Sequence, residues 1–333
     1  MRSFKRLSVL LAARKLLFAL AVALAASNGF AQSYPSRPIT LVNPFAAGGP
    51  VDAVARILSA PMSKILGQPV LVDYTVGAAG TLGVGRVARA APDGYTLSIG
   101  HWATHVINAA IYPLQYDVLR DLEPVGMICA NPLLIVARGS FPAKDLGELI
   151  AWLKANPDKA SVGTAGVGSG SHMGGIYFQN ATGTKVQYIP YKGTGPAMQD
   201  LLAGRLDFMV DQASNSLPQV RGGKIKAYAV TAKTRLSTAP EIPTVDEAGL
   251  PGLYVSVWFG LWAPKGTPHD VVAKLNAAMV ASLADSTVRQ RLADLGQEIM
   301  PREQQSPEAL AAFHKAEAEK WWPLVKAAGI KPE

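Results

Sequence analysis

The sequence predicts an α/β protein with parallel strands and helices on the faces of the sheet. Three observations carry this. Short apolar runs alternate regularly with helical patterns. The runs are apolar throughout rather than alternating, as expected of strands covered on both faces. At three strand-to-helix junctions the chain is rich in glycine and holds no Lys or Arg, namely "PFAAGGPVD" (44–52), "VGAAGTLG" (76–83) and "GTAGVGSGSH" (163–172).

The elements follow in order. "ITLVNPF" is a strand, followed by a helix over residues 51–66. "PVLVDY" is a strand, with a helix over 79–90, and "YTLSIG" is a third strand. A second series starts near Pro132 with "LLIVAR" as strand, "AKDLGELIAWLKAN" as helix and "ASVGTAG" as strand and loop. "SHMGGIYFQNA" is a helix, "KVQYIPY" a strand, "GPAMQDLLAG" a helix, and "LDFMVD" and "IKAYAVTA" are strands. "PEIPTVDEAGLPG" (240–252) reads as a connection, being dense in Pro and Gly. "VSVWFGLWAP" is a last strand, and two or three helices end the chain.

A length of 333 residues fits two domains. A hydrophobic share of 49% and a charged share of 17% fit a folded globular chain. The start is distinct. Arg2, Lys5, Arg6, Arg14 and Lys15 precede the apolar run "LLFALAVALAA", and Gly29 and Ala31 occupy the small-residue positions of a cleavage site. This is a secretory signal peptide over 1–31, cut after Ala31, with a membrane anchor as the alternative. Cleavage removes five basic residues, taking Lys+Arg from 32 to 27 against 24 acids, so the charge falls from +8 to +3. With no basic cluster left, nucleic acid is excluded as a partner. Cys129 is the single cysteine, so no internal disulfide forms, and "VGMICANPLLIV" makes it a buried strand residue rather than a catalytic thiolate.

A strand that ends in a Gly-rich turn at a helix start presents unpaired N–H groups at the positive end of the helix dipole. Such a pocket holds an anion without cationic side chains. Asp52 either caps its helix or takes a donor from the ligand. Each loop alone is also compatible with a purely steric turn. None spells a dinucleotide fingerprint or a Walker A loop. A charge-assisted hydrogen bond is worth about 1.5–3 kcal/mol and micromolar affinity needs about 8, so a carboxylate at each end of an apolar middle suffices and a single one in one loop does not.

Taken together, "YPSRPITLVNPFAAGGPVDAVARIL", "GAAGTLG", "APDGYTL", "GTAGVGSGSHM", "IPYKGTGPAMQDLLAGRLDFMVD", "KAYAVTAKTR" and "PEIPTVDEAGL" resemble the Bug family, the extracytoplasmic solute-binding proteins of tripartite tricarboxylate transporters. The resemblance covers essentially the whole mature chain. It implies a type II periplasmic-binding-protein fold, with two α/β lobes, crossing strands and a ligand cleft between the lobes. The first lobe would take 32–131 and 255–333, and the second 132–254. The resemblance further implies a periplasmic protein that delivers a small carboxylate to integral membrane subunits, with no cofactor, no metal and no catalytic residue. A monomer is expected. It places main-chain ligand contacts at Phe45, Ala46, Ala47, Gly48 and Gly49, and at Thr164, Ala165, Gly166, Gly168 and Ser169. Asp52 and Asp211 match the family pattern, Asp211 as a residue that orders the cleft rather than one that touches an anion. Gly77 and Ala78 of the second glycine loop and His101 complete the expected ligand set.

One segment departs from the family. "GHWATHVINAAIY" crowds His101, Trp102 and His105 where relatives carry smaller polar residues. Either these pack internally, or a histidine lines the cleft and the ligand is a flat carboxylate, with Phe45 and Trp258 as a further apolar wall. An exported hydrolase is disfavoured, because Ser171 and His172 are helix neighbours that do not face each other and no G-x-S-x-G elbow is present. A sensory role, presenting the ligand to a membrane receptor, uses the same pocket, and the sequence does not separate it from transport.

Overall fold

The computed structural model describes residues 34–332, and the leader expected over 1–31 lies outside them. The unit that begins at Arg37 is laid out as follows. β1 (Ile39–Asn43) leads to α1 (Pro50–Leu66), β2 (Val70–Tyr74), α2 (Thr81–Ala88) and β3 (Thr96–His101). A π-helical turn (Ala103–Ile107) runs into α3 (Asn108–Ile111). Next come β4 (Leu122–Arg138), α4 (Leu146–Ala155), β5 (Ser161–Thr164), α5 (Gly170–Thr182), β6 (Gln187–Pro190), α6 (Thr194–Leu202), β7 (Phe208–Gln212), α7 (Ala213–Arg221) and β8 (Ile225–Val230). β9 (Ser256–Pro264), α8 (His269–Ala284), α9 (Ser286–Asp294), β10 (Glu298–Ile299) and α10 (Pro307–Ala327) complete the chain.

The strands join in the order β2-β1-β3-β9-β4-β7-β5-β6, with β8 and β10 also on β4. β1, β2 and β3 are parallel, as are β5, β6 and β7. The middle of the sheet is not, which corrects the all-parallel expectation. β9 runs antiparallel to both β3 and β4, because the chain returns through 240–252 and enters between them. β4 is also longer than the run "LLIVAR". Its residues 122–132 pair with β9, while Leu133–Ala137 pair with β7. Pro124 and Pro132 obscure this strand in the sequence; the register shifts at Pro124/Gly126 and Met127/Cys129. β4 therefore crosses from one half of the molecule to the other.

Each half has its own core. Ile39, Leu41, Leu97, Ile99, Val54 and Leu58 are buried around the first set of strands. Leu134, Met198, Leu201, Met209 and Leu217 form a cluster around the second. Cys129 is fully buried opposite Phe259 in the β4–β9 ladder, and burial pushes its thiol up, leaving it inert.

Candidate functional site

Three helices begin at one place. α1 starts after Gly49, an extended residue whose successor Pro50 is pre-set for the first helical position. α5 starts after Ser169, whose hydroxyl accepts from the His172 N–H at 3.3 Å. α6 starts after Gly193. Their first turns enclose a cavity of about 20 Å³, lined among others by Phe45, Gly49, Val51, His101, Ser169, Gly170, Thr194 and Gln212. No Lys or Arg lines it.

The amides of Val51, Gly170, Ser171, Thr194 and Gly195 have no acceptor among the described residues, as first-turn amides do not within a helix. One buried side-chain atom at the cavity, Gln212 Oε1, is also unpartnered, whereas the Thr194 hydroxyl lies within reach of the Asp211 carboxylate. Donors and helix dipoles thus converge on a small enclosed space whose positive potential comes from backbone alone.

Asp52 also lines the cavity, but its carboxylate is engaged by its own neighbours. Its carboxylate accepts from the Gly48 N–H at 2.9 Å, from Arg56 Nε at 2.9 and 3.0 Å, and from the Tyr74 hydroxyl at 2.6 Å. It lies in the first turn of α1 and reaches back over the loop, so the structure places it in a fastening role. Asp211 sits behind the cavity on β7, fully buried. Its Oδ2 accepts from Asn215 Nδ2 at 2.6 Å and Ser216 Oγ at 3.0 Å, and Asn215 also donates to the Thr194 carbonyl at 3.2 Å. Burial raises the Asp211 carboxyl to about 6. The residue anchors the start of α6 through Asn215.

His101 forms one wall. Its ring stacks on Phe45, with centroids 5.3 Å apart and planes 17° apart. The Ala103 N–H donates to Nδ1 at 3.1 Å, so in the neutral ring the proton sits on Nε2, which has no acceptor among the described residues. Burial holds the imidazole down to about 4, so it is uncharged near neutrality.

The crowded segment divides. Trp102 is buried against Trp321, and the His105 ring lies on Trp262 with centroids 3.7 Å apart. Gly100 leaves the space that His105 occupies, since a Cβ there would overlap the ring. Trp258 packs on Phe313 and His314 rather than lining either cavity described here. Of the aromatic and histidine residues in question, His101 and Phe45 face the site.

A second, larger cavity of about 690 Å³ adjoins the first through the shared residues Phe45, Ala46 and Ala165. Gly77, Ala78 and Gly166 line it. Of the remaining expected residues, Thr164 is buried beneath, its Oγ1 accepting from the Gly166 N–H at 3.3 Å. The Gly168 N–H donates to His172 Nδ1 at 3.3 Å. Ala47 and Gly48 are exposed on the outer side of the loop. The sequence reading missed Thr194 and Gln212. The signal for Thr194 was present in "YKGTGPAM", another Gly-rich turn before a helix, whereas Gln212 at a strand end carried none.

A model described as "Tripartite tricarboxylate transporter family receptor" matches residues 54–330. The chain is 34% identical over 303 residues to protein BugT of Bordetella pertussis, covering 90% of this chain and 92% of that one. It is similar to the solved structure of MatC from Rhodopseudomonas palustris with bound malate, at 44% identity and a TM-score of 0.84, covering 88% of this chain and all (100%) of that one. It is also similar to R. palustris Rpa4515 with adipate, at 33% identity and a TM-score of 0.85, covering 90% and 100% of the two chains.

Proposed function

The chain belongs to the tripartite tricarboxylate transporter receptor family, which includes Bug periplasmic solute-binding proteins, and from that premise we propose that it captures a small organic carboxylate and delivers it to the membrane subunits of a transporter. One observation carries the reading: unpaired amides at the starts of α1, α5 and α6 meet at one cavity without a cationic side chain. Hydrogen bonds from such amides to a carboxylate are charge-assisted, and each helix start adds favourable potential. The inner cavity takes one carboxylate end, and the adjoining space takes the rest of the molecule. Malate in MatC and adipate in Rpa4515 are both aliphatic dicarboxylates, which supports this class of ligand.

In this reading residues 32–131 and 255–333 make one lobe, 132–254 make the other, and the ligand is gripped between them. Export through the leader puts the protein in the periplasm. Capture rather than turnover fits the polar groups. Ser171 Oγ takes the Ala165 N–H at 3.0 Å and His172 Nδ1 takes that of Gly168, so neither is set as nucleophile or base for the other.

The test is a thermal-shift screen of organic acids, aliphatic and aromatic, backed by native mass spectrometry of the purified protein. A binder at a hundredfold excess over its Kd stabilises the fold by about 2.7 kcal/mol. Absence of a shift with every acid, and of any retained acid, would count against the proposal.

A further inference from the structure

We propose that Lys192 reads a second anionic group at the far end of the ligand, so that the protein selects molecules with an acid at both ends over those with one. This rests on the carboxylate reading above and goes beyond it by naming the residue that recognises the distal end. The inner cavity is too small for more than one acid group, at about 20 Å³. The rest of the ligand therefore extends past Phe45, Ala46 and Ala165 into the space of about 690 Å³.

The walls of that space are mainly apolar or small. Among the described residues lining it, Lys192 is the sole charged side chain, and its ammonium has no hydrogen-bond or ion-pair partner. No Asp or Glu lines the space to neutralise it. The Lys192 backbone is fixed where the two cavities join, since its carbonyl accepts the Ala46 N–H at 2.9 Å. Its neighbour Tyr191 is held too, donating its N–H to the Thr164 carbonyl at 2.8 Å.

The same space also holds backbone donors. Ala78 and Ala79 both have positive φ, 45° and 48°, between Gly77 and Gly80, which also have positive φ. Two consecutive alanines in this region are strained. The left-handed turn closes by Gly80 N–H to the Gly77 carbonyl, and leaves the Ala78 and Ala79 amides without an acceptor among the described residues. Both residues line the cavity. A flexible ammonium and two unpaired amides lining one otherwise apolar space suit an anion on an apolar linker. A monocarboxylate would leave these donors to water and forgo the charge-assisted contact.

The experiment is calorimetric titration of wild type, K192M and K192R with matched acids: succinate and butyrate, glutarate and valerate, adipate and hexanoate. Lys192 is exposed, so its replacement leaves the fold intact, which a melting curve checks. In the pair that binds best, wild type should prefer the dicarboxylate by about three- to tenfold, between what an exposed ion pair and a charge-assisted hydrogen bond supply. K192M should lose that preference with the monocarboxylate affinity unchanged, and K192R should keep it. Equal wild-type affinity for both members, an unchanged dicarboxylate Kd in K192M, or equal losses for both acids would overturn the assignment while leaving carboxylate capture standing. If no acid in any pair binds, the carboxylate reading itself falls.

Discussion

The Tyr112 hydroxyl donates to the Val167 carbonyl oxygen at 2.8 Å, tying the segment after α3 to the glycine loop before α5. Together with the Ala46 N–H bond to Lys192, it bridges the mouth of the outer cavity, which both Tyr112 and Val167 line. Tyr112→Phe deletes the hydroxyl bond to the Val167 carbonyl and keeps the ring. A partly buried neutral bond is worth about 0.5–1.5 kcal/mol. If the bond forms with capture, the Kd for the bound acid rises about two- to tenfold while the melting temperature of the free protein barely moves. Calorimetry on the two proteins measures this. An unchanged Kd would show that the bond does not report on binding.

Gly195 offers a sharper test. A Cβ there would lie 2.8 Å from Gly48 C, 2.9 Å from Ala47 O and 3.0 Å from Gly49 N, all backbone atoms that do not swing aside. Gly195→Ala must therefore part α6 from the loop before α1, and with it two of the three helix starts. Affinity should fall by more than about tenfold, because the amides no longer point at a common centre. The free protein should also lose some stability, since these segments pack on each other without ligand, so the affinity is compared at a temperature where both proteins are folded. Full affinity in Gly195→Ala would mean that the two helix starts do not act together.

Asp52→Ala removes the acceptor of the Gly48 N–H, Arg56 and the Tyr74 hydroxyl at once. Asp52 is 5% exposed, whereas Arg56 is largely in solvent, so the loss lies mostly in the two neutral donors rather than in the ion pair. A destabilisation of about 2 kcal/mol is expected from stranding partly buried donors. Urea unfolding of the free protein measures it. Arg56→Ala, losing one exposed partner, should cost much less.

Much of this was legible in the sequence, and the reasons differ by element. "PFAAGGPVD" and "GTAGVGSGSH" announce helix starts because glycine turns followed by helical periodicity are local features. Burial of Cys129 follows from an apolar run, also local. The antiparallel entry of β9 between β3 and β4 depends on where a distant segment returns, and no local pattern encodes that. The same holds for the division of labour in "GHWATH". His101 faces the cavity while His105 packs on Trp262, because His101 still belongs to strand β3 and only His105 lies on the π-helical turn, so the i, i+4 alignment of a helix does not apply. The fastening role of Asp52 needed the position of Tyr74, 22 residues away.

The buried histidines predict how the fold responds to acid. Burial holds His101, His172 and His314 down to about 4, and His105 well below its ordinary range, where repulsion from His314 and His101 adds to burial. In the unfolded chain each titrates near 6.5. Between those values the unfolded state binds more protons, so stability falls as pH drops from about 6.5 to about 4. Asp211 acts in the opposite sense. Its carboxyl is raised to about 6 from 3.8, so acid relieves a buried charge over that range. Four histidines against one carboxyl leave a net loss, which Asp117, Asp200 and Glu247 extend to lower pH because their carboxyls are held down by hydrogen bonds. The melting temperature should decline through this window. Asp211→Asn should steepen the decline below pH 6 by removing the opposing group, whereas His101→Gln should flatten it. A melting temperature constant from neutrality to about pH 4 would show that the imidazoles gain water or partners on protonation.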